Sequence, residues 1–163
     1  MMDEPADWIN RLNLEPHPEG GYYAETYTAD ITVEETSLPE RYEGSRPMLT
    51  SIYYLLEAKD YSAFHRLGSD ELWHFYHGDP VTLYLLDEGL ETITLGVEQF
   101  QALIPNGTWF AAETTSQSDA ANGYSLVGCD VSPGFEFDDF ELATDDLASE
   151  YPEYRELIER LIR

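Results

Sequence analysis

Lysine is nearly missing from this chain. Of 8 basic side chains among 163 residues, only Lys59 is a lysine, and 33 acidic residues bring the formal net charge to −25. Nucleic acid and anionic membranes are both held through basic patches, so neither is expected as a partner. Cysteine is reduced to Cys129. That excludes an internal disulfide, and the apolar run around it reads as core rather than as the setting of a nucleophile. No stretch approaches the ~18 apolar residues of a membrane helix. Met1 to Asn10 is acidic and lacks the apolar run of a signal peptide, so a cytoplasmic location is expected. A phosphate-cradling Gly-rich loop, a Cys-x-x-Cys pair and a Gly-x-Ser-x-Gly elbow are absent too.

High charge with few cations has two readings. Disorder fails, because aromatic residues make up 13% of the chain and the apolar runs are long. The other reading is a halophile's solvated surface in a salty cytoplasm, where screening cuts the reach of self-repulsion to about 3 Å at 1 M. The length suits one domain with a core of its own, spanning 1–163.

What is present is mostly strand. Met48 onward shows short β-like runs at Leu49 to Leu56, Tyr61 to Arg66, Glu71 to Tyr76, Val81 to Leu86, Leu90 to Leu95 and Gln99 to Ile104. Turn signals such as Gly78-Asp79-Pro80 and Asp87-Glu88-Gly89 separate them, which predicts an all-β sandwich or barrel. Gly21 to Thr28, Thr108 to Glu113 and Tyr124 to Val131 add strands, giving a barrel over about 21–142. Asp30 to Pro47 reads as a long excursion and Thr114 to Asn122 as a polar loop. A short helix is expected at about 5–14, with Trp8, Ile9 and Leu12 on one stripe. A C-terminal helix is expected at about 152–162, where Tyr154, Leu157, Ile158, Leu161 and Ile162 share a face packed on the barrel.

The stretch from Asp60 to Pro80 carries the chemistry. Strand alternation puts Glu71, Trp73, Phe75 and His77 on one face, and Leu72, His74 and Tyr76 on the other. Burying Glu71 on an aromatic face requires a partner, and His65 across the turn is the expected one. The spacing of His65, Glu71 and Gly78 resembles the first cupin motif, with Leu67 where that motif has its second His. Pro105-Asn106-Gly107-Thr108-Trp109-Phe110 resembles the second motif, with Phe110 at its His position. Two of the superfamily's usual four metal ligands are therefore replaced by hydrocarbon. His17 to Tyr23, Ile104 to Glu113 and Leu126 to Phe137 extend the resemblance to the cupin-five family, a branch without an assigned activity. The resemblance implies a double-stranded β-helix, the cupin jelly-roll barrel.

Three functions follow from that setting. The first is a small-molecule-binding protein, with Trp73, Phe75, Thr108, Phe110, Glu19 and Tyr22 around His65 and Glu71, holding a small polar or sugar-like molecule. The second is a metal-free epimerase or isomerase, with His65 as base, Glu71 orienting it and Tyr61 as acid. Tyr61 enters because parity puts it on the His65 face. The third is a metal-dependent oxygenase or isomerase with a reduced ligand set. A catalytic metal normally has three protein ligands, whereas His65 and Glu71 supply two. His77 lies about 20 Å from Glu71 at ~3.3 Å per residue and cannot join them. The cofactor is therefore unknown, and a metal-free pocket is the reading preferred. A homodimer through the outward Leu72, His74 and Tyr76 face is expected.

Overall fold

A computed structural model describes residues 4–115 and 123–163. Strands dominate it: β1 (Glu15–Pro16), β2 (Tyr22–Thr28), β3 (Thr32–Val33), β4 (Arg46–Pro47), β5 (Thr50–Glu57), β6 (Tyr61–Leu67) and β7 (Asp70–Gly78). They continue with β8 (Val81–Leu86), β9 (Leu90–Leu95), β10 (Gln101–Ile104), β11 (Trp109–Thr114), β12 (Tyr124–Ser132) and β13 (Phe140–Leu142). One sheet runs β1-β2-β5-β12-β7-β10, the other β13-β6-β11-β8-β9, and β3 pairs with β4. This is consistent with the jelly roll that the cupin resemblance implies, and it bears out the all-β class expected from the strand spacing. The Asp30–Pro47 excursion is partly ordered by the β3–β4 pair and by buried Arg46, whose Nε donates to Asp139 at 2.8 Å. The expected loop at Thr114 to Asn122 falls mostly outside the described residues.

Apolar alternation explains where the core sits. Tyr54, Trp73, Val127 and Cys129 of the first sheet meet Leu83, Leu85, Phe110 and Ala112 of the second. The outer faces are covered by helices. Helix α1 (Pro5–Leu12) starts with Pro5 in its first turn and ends where Asn13 adopts φ 52°, its N–H returning to the Ile9 carbonyl. Its Trp8, Ile9 and Leu12 pack on Leu55, Tyr124 and Leu126. A short helix that was not expected, α2 (Asp146–Glu150), precedes the C-terminal helix expected at about 152–162, which is a 3-10 turn at Pro152–Tyr154 followed by α3 (Arg155–Arg160). Its stripe nonetheless packs as expected, Ile158 and Leu161 burying Phe64 and Trp109. No helix among the described residues is long and apolar enough to cross a membrane.

Of three register shifts among the described strands, at β2–β5, β6–β11 and β7–β12, the last two decide where site candidates point. Opposite β11, Phe110 pairs with His65 and Ala112 with Ser62, so Ala63 and Phe64 share one partner. Tyr61 therefore turns outward, where its hydroxyl donates to the Ile162 carbonyl at 2.9 Å. Opposite β12, Leu126 pairs with His77 and Val127 with Phe75, leaving Tyr76 as the extra residue. His77 consequently leaves the Glu71 face and stacks on Tyr124 beside Trp8.

Candidate functional site

A turn brings the decisive residue. The His17 N–H donates to the Gly21 carbonyl and the Gly20 N–H to the His17 carbonyl, both at 3.0 Å. Gly20 (φ 105°) and Gly21 (φ 72°) occupy the left-handed region. A Cβ on Gly20 would lie 2.1 Å from the Tyr61 carbonyl oxygen, so the turn presses directly against β6. The Glu19 carbonyl accepts from Ala63 N–H at 2.8 Å. It also accepts from Arg163 Nε at 3.1 Å. Asp60 accepts the Gly21 N–H at 2.9 Å. The Tyr54 hydroxyl donates to the Gly20 carbonyl at 2.5 Å. Pinned in this way, Glu19 is 6% exposed and its side chain points inward at His65.

The partner of His65 is thus Glu19, not Glu71. His65 Nε2 lies 2.9 Å from Glu19 Oε2. Its Nδ1 lies 2.7 Å from the Ala63 carbonyl oxygen and must donate to it. Burial alone would lower the His65 pKa, but the charge and hydrogen bond of Glu19, followed by the charge of Glu71, carry it above its ordinary value. Burial would raise Glu19, and the charge and hydrogen bond of His65 instead hold it below the usual carboxylate range. The pair is therefore an imidazolium–carboxylate, with both ring N–H groups committed to the protein.

Glu71 behaves oppositely. Burial and the nearby Glu19 charge outweigh the attraction of His65 and push its carboxyl up to about 7. The side chain is 7% exposed, and its Oε2 has no hydrogen-bond partner among the described residues. Cys129 and Trp73 flank it, but Trp73 Nε1 is itself unpartnered. Burial pushes the Cys129 thiol well up, as expected for an inert core thiol. Tyr54 is likewise raised by burial, so its hydroxyl stays a donor. Burial and the charge of His65 outweigh Glu19 at His17 and lower its pKa. His17 Nδ1 accepts the Glu19 backbone N–H at 3.1 Å, which leaves the ring proton on Nε2.

These groups surround a cavity of about 310 Å³ between the sheets. Glu19, His65, Leu67, Glu71 and Cys129 form its buried wall, while Glu25, Glu136 and Phe137 lie at its exposed rim. Among the expected ligand-binding residues, Glu19 lines this cavity. Phe110 lies behind it, its ring centroid 4.1 Å from that of His65. Trp73 and Phe75 belong to the core beneath and do not line the cavity. Thr108 lines a separate shallow depression beside Leu85 and Pro105. Tyr22 packs outward with Leu14 and Leu55, and its neighbour Tyr23 faces the cavity instead. Tyr61, expected as an acid, is outside. His17 lines it beside Glu19, while Tyr23 and the aromatic side chains of Phe135, Phe137 and Phe140 are additions that the sequence reading did not assign to the pocket.

The family profile described as Cupin superfamily (DUF985) matches residues 6–143. The chain belongs to this cupin family. A protein of Shewanella oneidensis solved by X-ray crystallography is 38% identical, with 99% of each chain covered and a TM-score of 0.86. A hypothetical protein from Leishmania major is 34% identical over 98% of each chain, with a TM-score of 0.85. A cupin 2 conserved barrel domain protein from Rhodopseudomonas palustris is 15% identical, with 92% of this chain and 98% of that one covered. Its TM-score of 0.53 shows a shared fold alone. None of the curated proteins compared matches the chain.

Cupins commonly hold a metal, and the donors here do not fit one. Both nitrogens of His65 are taken, one by Glu19 and the other by the Ala63 carbonyl. Leu67 lines the cavity where the second ligand of the motif would stand, and Phe110 covers the His65 ring. Among the described residues no group of three or more His, Cys, Asp or Glu side chains is arranged to hold an ion. The alternative of a metal on His65 and Glu71 left out Glu19, which accepts from the imidazole Nε2.

Proposed function

We propose that this cupin is a small-molecule-binding protein whose barrel cavity takes a small polar molecule against Glu71, with the His65–Glu19 pair as fixed electrostatic scaffolding. The observation that carries this reading is Glu71, a buried carboxyl that lines the cavity and whose Oε2 has no hydrogen-bond partner among the described residues. A buried acceptor left unmade costs roughly 1–3 kcal/mol, and a bound ligand that supplies a donor removes that cost. A cavity near 310 Å³, walled by aromatic rings on one side and by carboxyl and imidazole groups on the other, matches the small end of ligand sites in size. The test is a thermal-shift and calorimetric screen of polyols, sugars and amines against the protein and Glu71→Gln. Hits that the substitution weakens support the reading; hits indifferent to it, or none, count against it.

A second reading is favoured by one observation. A carboxyl titrating at about 7 is poised to take or give a proton near neutrality. An isomerase-type proton transfer would then use Glu71 as the acid–base group, with His65 locked as a cation beside it. The earlier assignment of His65 as base and Tyr61 as acid has no geometric support. Solvent deuterium entering a bound ligand with wild type, but not with Glu71→Gln, would favour the enzyme.

The acidic surface is proposed as an adaptation to a salty cytoplasm. A homodimer is proposed through the outer face of the larger sheet. Its edge strand β10 leaves backbone groups unpaired, and Tyr76, Phe100 and Leu103 are each more than half exposed nearby.

A further inference from the structure

Charge is distributed unevenly around the cavity. Four carboxyl groups line it, from Glu19, Glu25, Glu71 and Glu136, and among the described residues no lysine or arginine does. The exposed Glu25 and Glu136 fit the acidic surface found everywhere on this chain. Glu71 does not, because it is more than nine-tenths buried and gains nothing from solvation. The positive charge of His65 is already matched by Glu19, and both its N–H groups are engaged. An anionic ligand would thus meet carboxylates and find no free cation. A neutral alcohol could cap Glu71 Oε2 but would leave the remaining negative charge uncompensated. The aromatic wall adds a further preference. The Phe137 and Phe140 ring centroids lie 6.1 and 5.9 Å from that of His17, and the Tyr23 centroid lies 4.7 Å from it. Aromatic faces attract cations through their quadrupoles.

We propose that the ligand class of this cavity is a protonated amine, whose ammonium N–H donates to the unpartnered Glu71 carboxylate while its carbon body lies against Tyr23, Phe137 and Phe140. This narrows the small-molecule reading above and rests on it. The ammonium replaces the missing hydrogen bond with a charge-assisted one, stronger than a neutral hydroxyl could make. It also meets the negative rim on the way in, which raises its local concentration.

The experiment is calorimetric titration of the full chain, in 1 M KCl at pH 7.5, with three matched probes: benzylamine, benzyl alcohol and benzoate. A parallel series runs from methylamine to cyclohexylmethylamine, each with its alcohol. At least tenfold tighter binding of the amines than of their alcohols is expected, with no binding of benzoate. Glu71→Gln should bring amine affinity down to that of the alcohol, while weakening the alcohol far less. Should that variant fail to fold, the double variant Glu25→Gln, Glu136→Gln tests the same charge at the rim and should weaken amines by several-fold only. Alcohols binding as tightly as amines would overturn the proposal while leaving the small-molecule pocket intact. No binding by any probe would overturn the pocket reading together with it.

Discussion

Replacing Glu71 by Gln should change how stability depends on pH, in a direction fixed by the sign of its shift. The carboxyl moves from an ordinary 4.5 when unfolded to about 7 when buried. Between those values the folded chain binds more protons than the unfolded one, so this group makes stability fall as pH rises. Its contribution is complete below 4.5 and is lost as pH climbs toward and through 7. At roughly 1.4 kcal/mol per pH unit, the loss amounts to about 3 kcal/mol. Gln cannot titrate and removes this component. Urea melts of both proteins at constant molar KCl, from pH 4.5 to 8, give the difference directly, and the other acidic groups cancel in it to first order. The stability difference, wild type minus variant, should fall by about 3 kcal/mol across the window. A flat difference would mean that Glu71 is ionised throughout, and the account of the buried carboxyl would be wrong.

Other outcomes follow from the same geometry. Glu19→Gln removes the charge and hydrogen bond that raise His65, so the imidazole Cε1 proton should titrate at a lower pH by NMR. Arg163→Ala takes away the Nε contact to the Glu19 carbonyl and the guanidinium lying 4.4 Å over the Tyr61 ring. It should cost about 1–2 kcal/mol in urea melts and speed amide exchange at Gly20 and Gly21. Dialysis from molar KCl to dilute buffer should unfold the chain, as followed by circular dichroism, because 33 carboxylates against 8 basic groups lose their screening. Leu103→Glu on the exposed edge strand should convert a dimer into a monomer on size exclusion in molar salt, leaving the melting curve per chain nearly unchanged.

The strands were legible because turn residues and alternating apolar positions punctuate them. Val81–Leu86 and Leu90–Leu95 fall where the pattern places them. Parity is fragile, however. One extra residue at Ala63–Phe64 turned Tyr61 outward, and another at Tyr76 sent His77 to α1. Neither bulge carries a glycine or other local mark. Choosing Tyr22 over Tyr23 had the same weakness, since a strand's period does not say which face is inside. Glu19 was legible as a pocket residue but not as the partner of His65. The two are far apart in sequence, and only Gly20-Gly21, which permits a tight turn against β6, hints that this carboxylate is delivered inward. The raised Glu71 follows from that misassignment: once Glu19 claims the imidazole, the second carboxylate has no partner with which to ionise.

Glu19's hold on His65 bears on how such a protein could evolve. Histidines placed at Leu67 and Phe110 would fill the two positions that the cupin motif gives to ligands, yet the imidazole they must join would still be an ion-pair member with both nitrogens held, by Glu19 and by the Ala63 carbonyl. A metal would need Glu19 removed as well, so that His65 can give up its proton and free the Nε2 lone pair. Ligand positions and counter-ion thus have to change together before this barrel can hold an ion.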